Sequence, residues 1–135
     1  MAIVGNLAAS QKVNRCPGDA KVSWKWQSAW RHANSAARQK EFKKVLAQVN
    51  FYMKQHQTRY GYTITDTELV PIRRLNNNGS LELGTSIPWS ASNIYEPGDP
   101  GYNANQVRYR QTLTPLLALW YLAMLAASDH GYHLP

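Results

Sequence analysis

Apolar and polar residues alternate through Ala20–Trp26, with Val22, Trp24 and Trp26 on one side and Lys21, Ser23 and Lys25 on the other. A period of two predicts a half-buried strand with one basic face. Residues 1–18 before it are irregular, and Asn14, Pro17 and Gly18 mark a turn. Residues 27–37 are polar and alanine-rich, a short helix or loop containing Trp30. The period then changes. Phe42, Val45, Leu46, Val49 and Met53 recur at spacings of three and four, which predicts an amphipathic helix over 38–56 whose stripe faces a core.

Alternation returns at Tyr60–Ile64, and Thr65-Asp66-Thr67 supplies turn chemistry before a second strand over Glu68–Leu75. Pro71 inside that strand predicts an edge position or a bulge. Asn76-Asn77-Asn78-Gly79 reads as a hairpin turn, Ser80–Leu83 as the returning strand, and Ile87–Trp89 as a further short extended piece. Residues 90–111, with Pro97, Gly98, Pro100 and Gly101, read as a long surface loop. Thr114-Pro115 opens a final helix over 112–128, with Thr114 as N-cap. Its stretch Leu116–Ala127 is apolar all round, so it is expected to be buried on most sides or to pack on a second subunit. Strand, helix, three strands, loop and helix make an α/β domain (an α+β mixed sheet), and 135 residues allow one such domain.

Charge sharpens this outline. The chain carries +7 overall, with His neutral. Residues 12–59 hold eleven basic against two acidic side chains, and residues 60–135 hold four against six. A one-sided basic field favours polyanions. Lys25, Arg38, Lys40, Lys43 and Lys44 are the candidate nucleic-acid contacts, and DNA or RNA the candidate partner. A solvated lysine-rich helix face is the plain alternative. Cys16 is the lone cysteine, so no intrachain disulfide forms, and this points to a reducing compartment. The longest apolar run has twelve residues, short of the roughly 20 that span a bilayer, so no membrane partner and an intracellular location, cytoplasm or nucleus, are expected. His130 and His133, three apart beside Asp129, sit in a tail too weakly framed to hold a metal.

Two short motifs carry candidate chemistry. Asp19 and Lys21 are two apart on a strand and share a face, where a carboxylate can bind a divalent cation and an ammonium can stabilise a phosphate. Gln48 and Tyr52 are four apart on the following helix and are neighbours there. These four are the candidate catalytic residues, with Asp19 the metal ligand. Each alone is common, and it is their order that carries weight.

In that order the chain resembles the PD-(D/E)XK, or restriction-endonuclease-like, superfamily. Its core has a strand bearing Asp/Glu-x-Lys, and in the RecB-like branch the next helix bears Gln-x-x-x-Tyr. The longer pattern from Gly18-Asp-Ala-Lys-Val-Ser-Trp-Lys-Trp26 through Gln48–Tyr62 to Ile87-Pro-Trp89 also resembles fungal proteins with nuclease-like regions. The resemblance covers residues 17–89. It implies phosphodiester hydrolysis with Mg²⁺ or Mn²⁺, Asp19 holding the metal, Lys21 assisting water or phosphate, Gln48 orienting that group and Tyr52 bracing it. Active members resembling this pattern carry a further acidic ligand on an earlier strand, whereas Asp19 is the first acidic residue here. The expectation is a core shortened at its N-terminus and impaired in catalysis. A rival alignment makes Pro17-Gly-Asp19 the first motif and Glu41-Phe-Lys43 the second. That pair falls in a helical stretch, where i and i+2 diverge.

Three functions remain open at this level. One is nucleic-acid binding by the basic half. Another is an interaction module forming a homodimer through the Leu116–Ala127 helix. A third is a small enzyme with an aromatic-lined pocket near Trp24 and Trp26.

Overall fold

In the computed structural model, residues 14–76, 79–89, 95–106 and 114–129 are described. The first strand, β1, is Gly18–Ala20, followed by a 3₁₀ turn at Ser28–His32 and helix α1 at Ala36–Gln55. Strands β2 (Tyr60–Ile64), β3 (Glu68–Arg74), β4 (Leu81–Leu83) and β5 (Ile87–Pro88) follow, and then helix α2 at Pro115–Ser128. The architecture is mixed α and β, with one mixed five-stranded sheet and two α-helices among the described residues.

Strand β1 runs parallel to β2, with Asp19 opposite Thr63. Parallel neighbours need a crossover, and α1 supplies it. The remaining pairs are antiparallel, β2 with β3 and β3 with both β4 and β5. Side chains alternate across β3 and build a core on each face. Val70 and Ile72 meet Phe42, Val45, Val49 and Met53 of α1. Leu69 meets Ile87 and Ala118 of α2 on the opposite face.

The predicted helix starts two residues early because Ser35 caps it, its hydroxyl accepting the Arg38 N–H at 3.4 Å. The stripe is buried as expected at Phe42, Val45, Val49 and Met53. For α2, Thr114 accepts the Leu117 N–H and Pro115 occupies the first turn, as the sequence predicts.

The strand predicted over Ala20–Trp26 is corrected. It ends at Ala20 because its one partner among the described residues, β2, ends at Ile64, whose carbonyl takes the last ladder bond from Lys21 N–H at 3.0 Å. The chain then folds into a turn, with the Lys25 and Trp26 N–H groups both donating to Val22 O. Trp26 enters the core, stacked on Phe42 at 5.7 Å with its Nε1 donating to Phe42 O. Trp24 is left 71% exposed.

Pro71 lies in the central strand, yet the expected bulge is real. Three residues, Gly84–Ser86, separate Leu83 from Ile87, opposite only Val70 and Pro71 between Leu69 and Ile72. One extra residue divides β4 from β5 where Pro71 has no N–H to offer. Gly84 donates to Pro71 O at 2.8 Å there. Gly79, at φ +78, occupies the left-handed region in the predicted hairpin turn, and Asn77 and Asn78 lie outside the described residues. So do residues 90–94 and 107–113 around the loop assigned to 90–111, and His130 and His133.

Candidate functional site

Gly61 places the face of the sheet on which the candidate site lies. A Cβ there would stand 3.1 Å from Val49 and 3.2 Å from Met53, so its side of β2 faces α1. Thr63, two residues on, shares that side, and Asp19 lies opposite Thr63 in register. Asp19 and Lys21 therefore both project toward α1. Their side chains form an ion pair at 3.4 Å, with Asp19 only 14% exposed. Asp19 Oδ2 and the buried Thr63 Oγ1 are both without a hydrogen bond.

Asp19, Lys21 and Gln48 line one cavity of about 570 Å³. Lys25, Arg38 and Lys44 line it too, from the turn after β1 and from α1. Tyr52, one helical turn beyond Gln48, is not among the lining residues and packs edge-on against Phe51. Of the other basic residues predicted to meet nucleic acid, Lys40 and Lys43 are exposed outside this cavity, and Lys43 lines a shallower hollow with Arg31 and Asn50. Strand–helix–strand topology has thus gathered three of the four candidate catalytic residues and three of the five basic ones.

Five further lining residues, Trp24, Trp30, Ala37, Glu41 and Val45, are outside the predicted catalytic and nucleic-acid-binding set, and of these the sequence suggests Trp24 only as the wall of an aromatic pocket. Glu41 is three residues before Lys44 on α1, a spacing that puts both on one helix face. That spacing is the signal available for it. Trp30 lies under the Arg38 guanidinium, which sits 5.4 Å from the ring centroid.

Two carboxylates from the β2–β3 hairpin hold the segment carrying both tryptophans. Asp66 accepts the Ser23 N–H at 2.6 Å and the Ser23 hydroxyl at 3.0 Å. Glu68 accepts the Ser28 N–H and hydroxyl, both at 2.7 Å, and the Ser86 hydroxyl. The Ser23 N–H, with the Ser23 hydroxyl, holds the Asp66 carboxyl below its ordinary value against the opposing effect of desolvation. These clamps lie about 40 residues away in the chain, so no local pattern announces them.

Four cations and two carboxylates line the cavity together with Trp24, Trp30, Ala37 and Val45, so it joins charged and apolar surface. A divalent cation is the group the nuclease resemblance implies. The donor set fits it poorly: Asp19 faces the Lys21 ammonium, and Glu41 is the one other lining carboxylate. Among the described residues no three His, Cys, Asp or Glu side chains converge. The excess of cations fits an anion better. Burial pushes the Cys16 thiol up to about 11, which disfavours the thiolate form.

Helix α2 presents the second notable surface. It buries Pro115, Ala118, Leu122 and Ala126 and leaves Leu116, Leu117, Trp120, Tyr121, Met124 and Leu125 exposed. No helix among the described residues is long and apolar enough to cross a membrane. Compared with known family models, curated proteins and solved structures, the chain matches none.

Proposed function

We propose that this chain binds nucleic acid in the cavity between β1 and α1, on a nuclease-like scaffold whose hydrolytic site is degenerate. The observation that carries this reading is the convergence of Asp19, Lys21 and Gln48 with Lys25, Arg38 and Lys44 in one cavity. Support also comes from chain order: Asp19 on β1, Lys21 just past its end and Gln48 on the helix that follows keep the order of the resembling motifs. Placement of charge on α1 adds support. The helix has no acidic residue in its first turn and bears Arg38 there, where a cation is disfavoured by about 0.3–1 kcal/mol. A bound phosphate offsets that cost.

In this reading Lys21, Lys25, Arg38 and Lys44 contact phosphates, and Gln48 donates its amide to a phosphate oxygen. Asp19 holds the Lys21 ammonium in place. No step is assigned to a metal, because the donor set favours an anion. The test is fluorescence anisotropy with labelled DNA at two salt concentrations and with Mg²⁺, followed by sizing of the recovered strand. Affinity is expected to fall steeply with salt and the strand to keep its length. Binding insensitive to salt would remove the reading, and shortened DNA would replace a binding protein with a working nuclease.

The exposed face of α2 favours a second reading, a homodimer. An isologous interface through Leu117, Trp120, Tyr121 and Met124 would cover large apolar side chains that the protomer leaves in water. Sedimentation equilibrium is expected to show a concentration-dependent dimer. A monomer persisting at high concentration would exclude it.

A further inference from the structure

Three tryptophans fall within seven residues of sequence, and the fold gives each a different environment. Trp26 is 0% exposed and belongs to the core. Trp30 packs against that core, and one face of its ring is taken by Arg38. Trp24 lines the cavity and yet is largely exposed, so its indole meets solvent beside the cations. Of the three, it exposes the most ring surface to a ligand, Trp30 being half-buried beside it.

The backbone that carries Trp24 is also held in place. Its turn is closed by the Lys25 N–H on Val22 O at 2.9 Å, and the preceding residue, Ser23, is gripped twice by Asp66. A platform fixed in advance loses little freedom on binding. Lys25 follows Trp24 directly, and Arg38 and Lys44 line the same cavity from α1. Its volume, about 570 Å³, falls in the range of about 300–1,000 Å³ in which small-molecule sites lie. The space is therefore of a size for one nucleotide unit.

We infer that the cavity takes single-stranded nucleic acid, with an unpaired base stacked on Trp24 and the flanking phosphates on Lys25, Arg38 and Lys44. This rests on the nucleic-acid reading above and names its substrate class. Stacking on an aromatic ring needs a base whose π-face is free, and the bases of a duplex are already stacked on one another. A π-face is also indifferent to which base it meets, so little sequence preference follows.

Anisotropy with four labelled 12-mers tests the inference: a DNA strand, an RNA strand of the same sequence, a blunt DNA duplex, and a DNA strand with abasic sites throughout its centre. The abasic strand keeps the phosphates and lacks the bases. The unmodified DNA strand is expected to bind at least about tenfold more tightly than the duplex or the abasic strand, and the RNA strand to bind within about tenfold of the DNA strand. Trp24→Ala is expected to erase the preference while changing abasic and duplex affinity less than about twofold, and Trp24→Phe to restore most of it. Circular dichroism checks that both variants fold. Equal affinity of wild type for all four probes, or a Trp24→Ala protein that keeps the preference, overturns the stacking inference and leaves phosphate binding standing. Absence of binding to every probe at low salt overturns both.

Discussion

The two helices cover opposite faces of one sheet and turn different surfaces outward. Helix α1 buries Phe42, Val45, Val49 and Met53 and shows solvent Arg38, Lys40, Lys43 and Lys44. Helix α2 buries the small side chains Ala118 and Ala126 with Leu122, and shows solvent Trp120, Tyr121, Met124 and Leu125. Inward faces are alike in being apolar, since both must cover a sheet. Outward faces are free to differ, and these do: that of α1 is basic and that of α2 apolar.

That contrast breaks most sharply in the core beneath α1. Trp26→Ala is expected to cost about 3–5 kcal/mol in denaturant unfolding, because it empties the site stacked on Phe42. Trp24→Ala, two residues away and exposed, is expected to change stability by less than about 0.5 kcal/mol. A similar loss for both would mean that the turn at 22–26 is not as described.

The next largest effect separates the basic residues of α1 from one another. Arg38→Glu with Lys44→Glu, which line the cavity, is expected to weaken DNA binding at least about tenfold and to lower the salt slope by about 1 for each phosphate no longer neutralised. Lys40→Glu with Lys43→Glu changes net charge equally from outside the cavity and is expected to do less. Equal effects of the two double variants would show a diffuse field without a defined site.

On α2, Leu117→Asp with Trp120→Asp is expected to raise the dimer dissociation constant at least about tenfold in sedimentation, about 1.4 kcal/mol. The monomer should keep its thermal stability, because both side chains are exposed. Leu119→Asp would not serve: Leu119 packs against the Leu69–Ile87–Ala118 cluster, so its loss reports on folding.

The smallest effect concerns the Asp66 clamp on the Trp24 turn. Its folded carboxyl lies below the ordinary value of 3.8, so the stabilisation is complete above that value and is lost as pH falls through the lower folded one. Hydrogen exchange, corrected for its intrinsic pH dependence, is expected to show equal Ser23 protection at about pH 7 and pH 5, and less below about pH 4. Asp66→Asn should show reduced protection at every pH. Protection already falling between about pH 7 and 5 would identify a different controlling group.

Much of this architecture is legible in local pattern. The extent of β2, the stripe of α1, the cap of α2 and the bulge at Pro71 all follow from side-chain period or backbone chemistry within a few residues. The failure at Ala20–Trp26 is instructive. Its alternation is genuine, but a strand needs a partner for its backbone, and β2 offers none past Ile64. Of the candidate site, Asp19, Lys21 and Gln48 are identified by type and spacing, whereas Tyr52 lies outside the cavity and Glu41 enters the sequence argument only through a rival motif.

The sequence by itself determined the elements, their inward faces and the concentration of positive charge in the first half, because each depends on neighbours along the chain. Tertiary structure alone decided which of three similar tryptophans is core and which is surface, and which lysines share a cavity with Asp19. Those outcomes depend on where β2 stops and on hydrogen bonds from Ser23 and Ser28 to Asp66 and Glu68, across about 40 residues. Contacts between residues so distant in sequence exist only once the sheet has assembled, and it is there that the cavity is made.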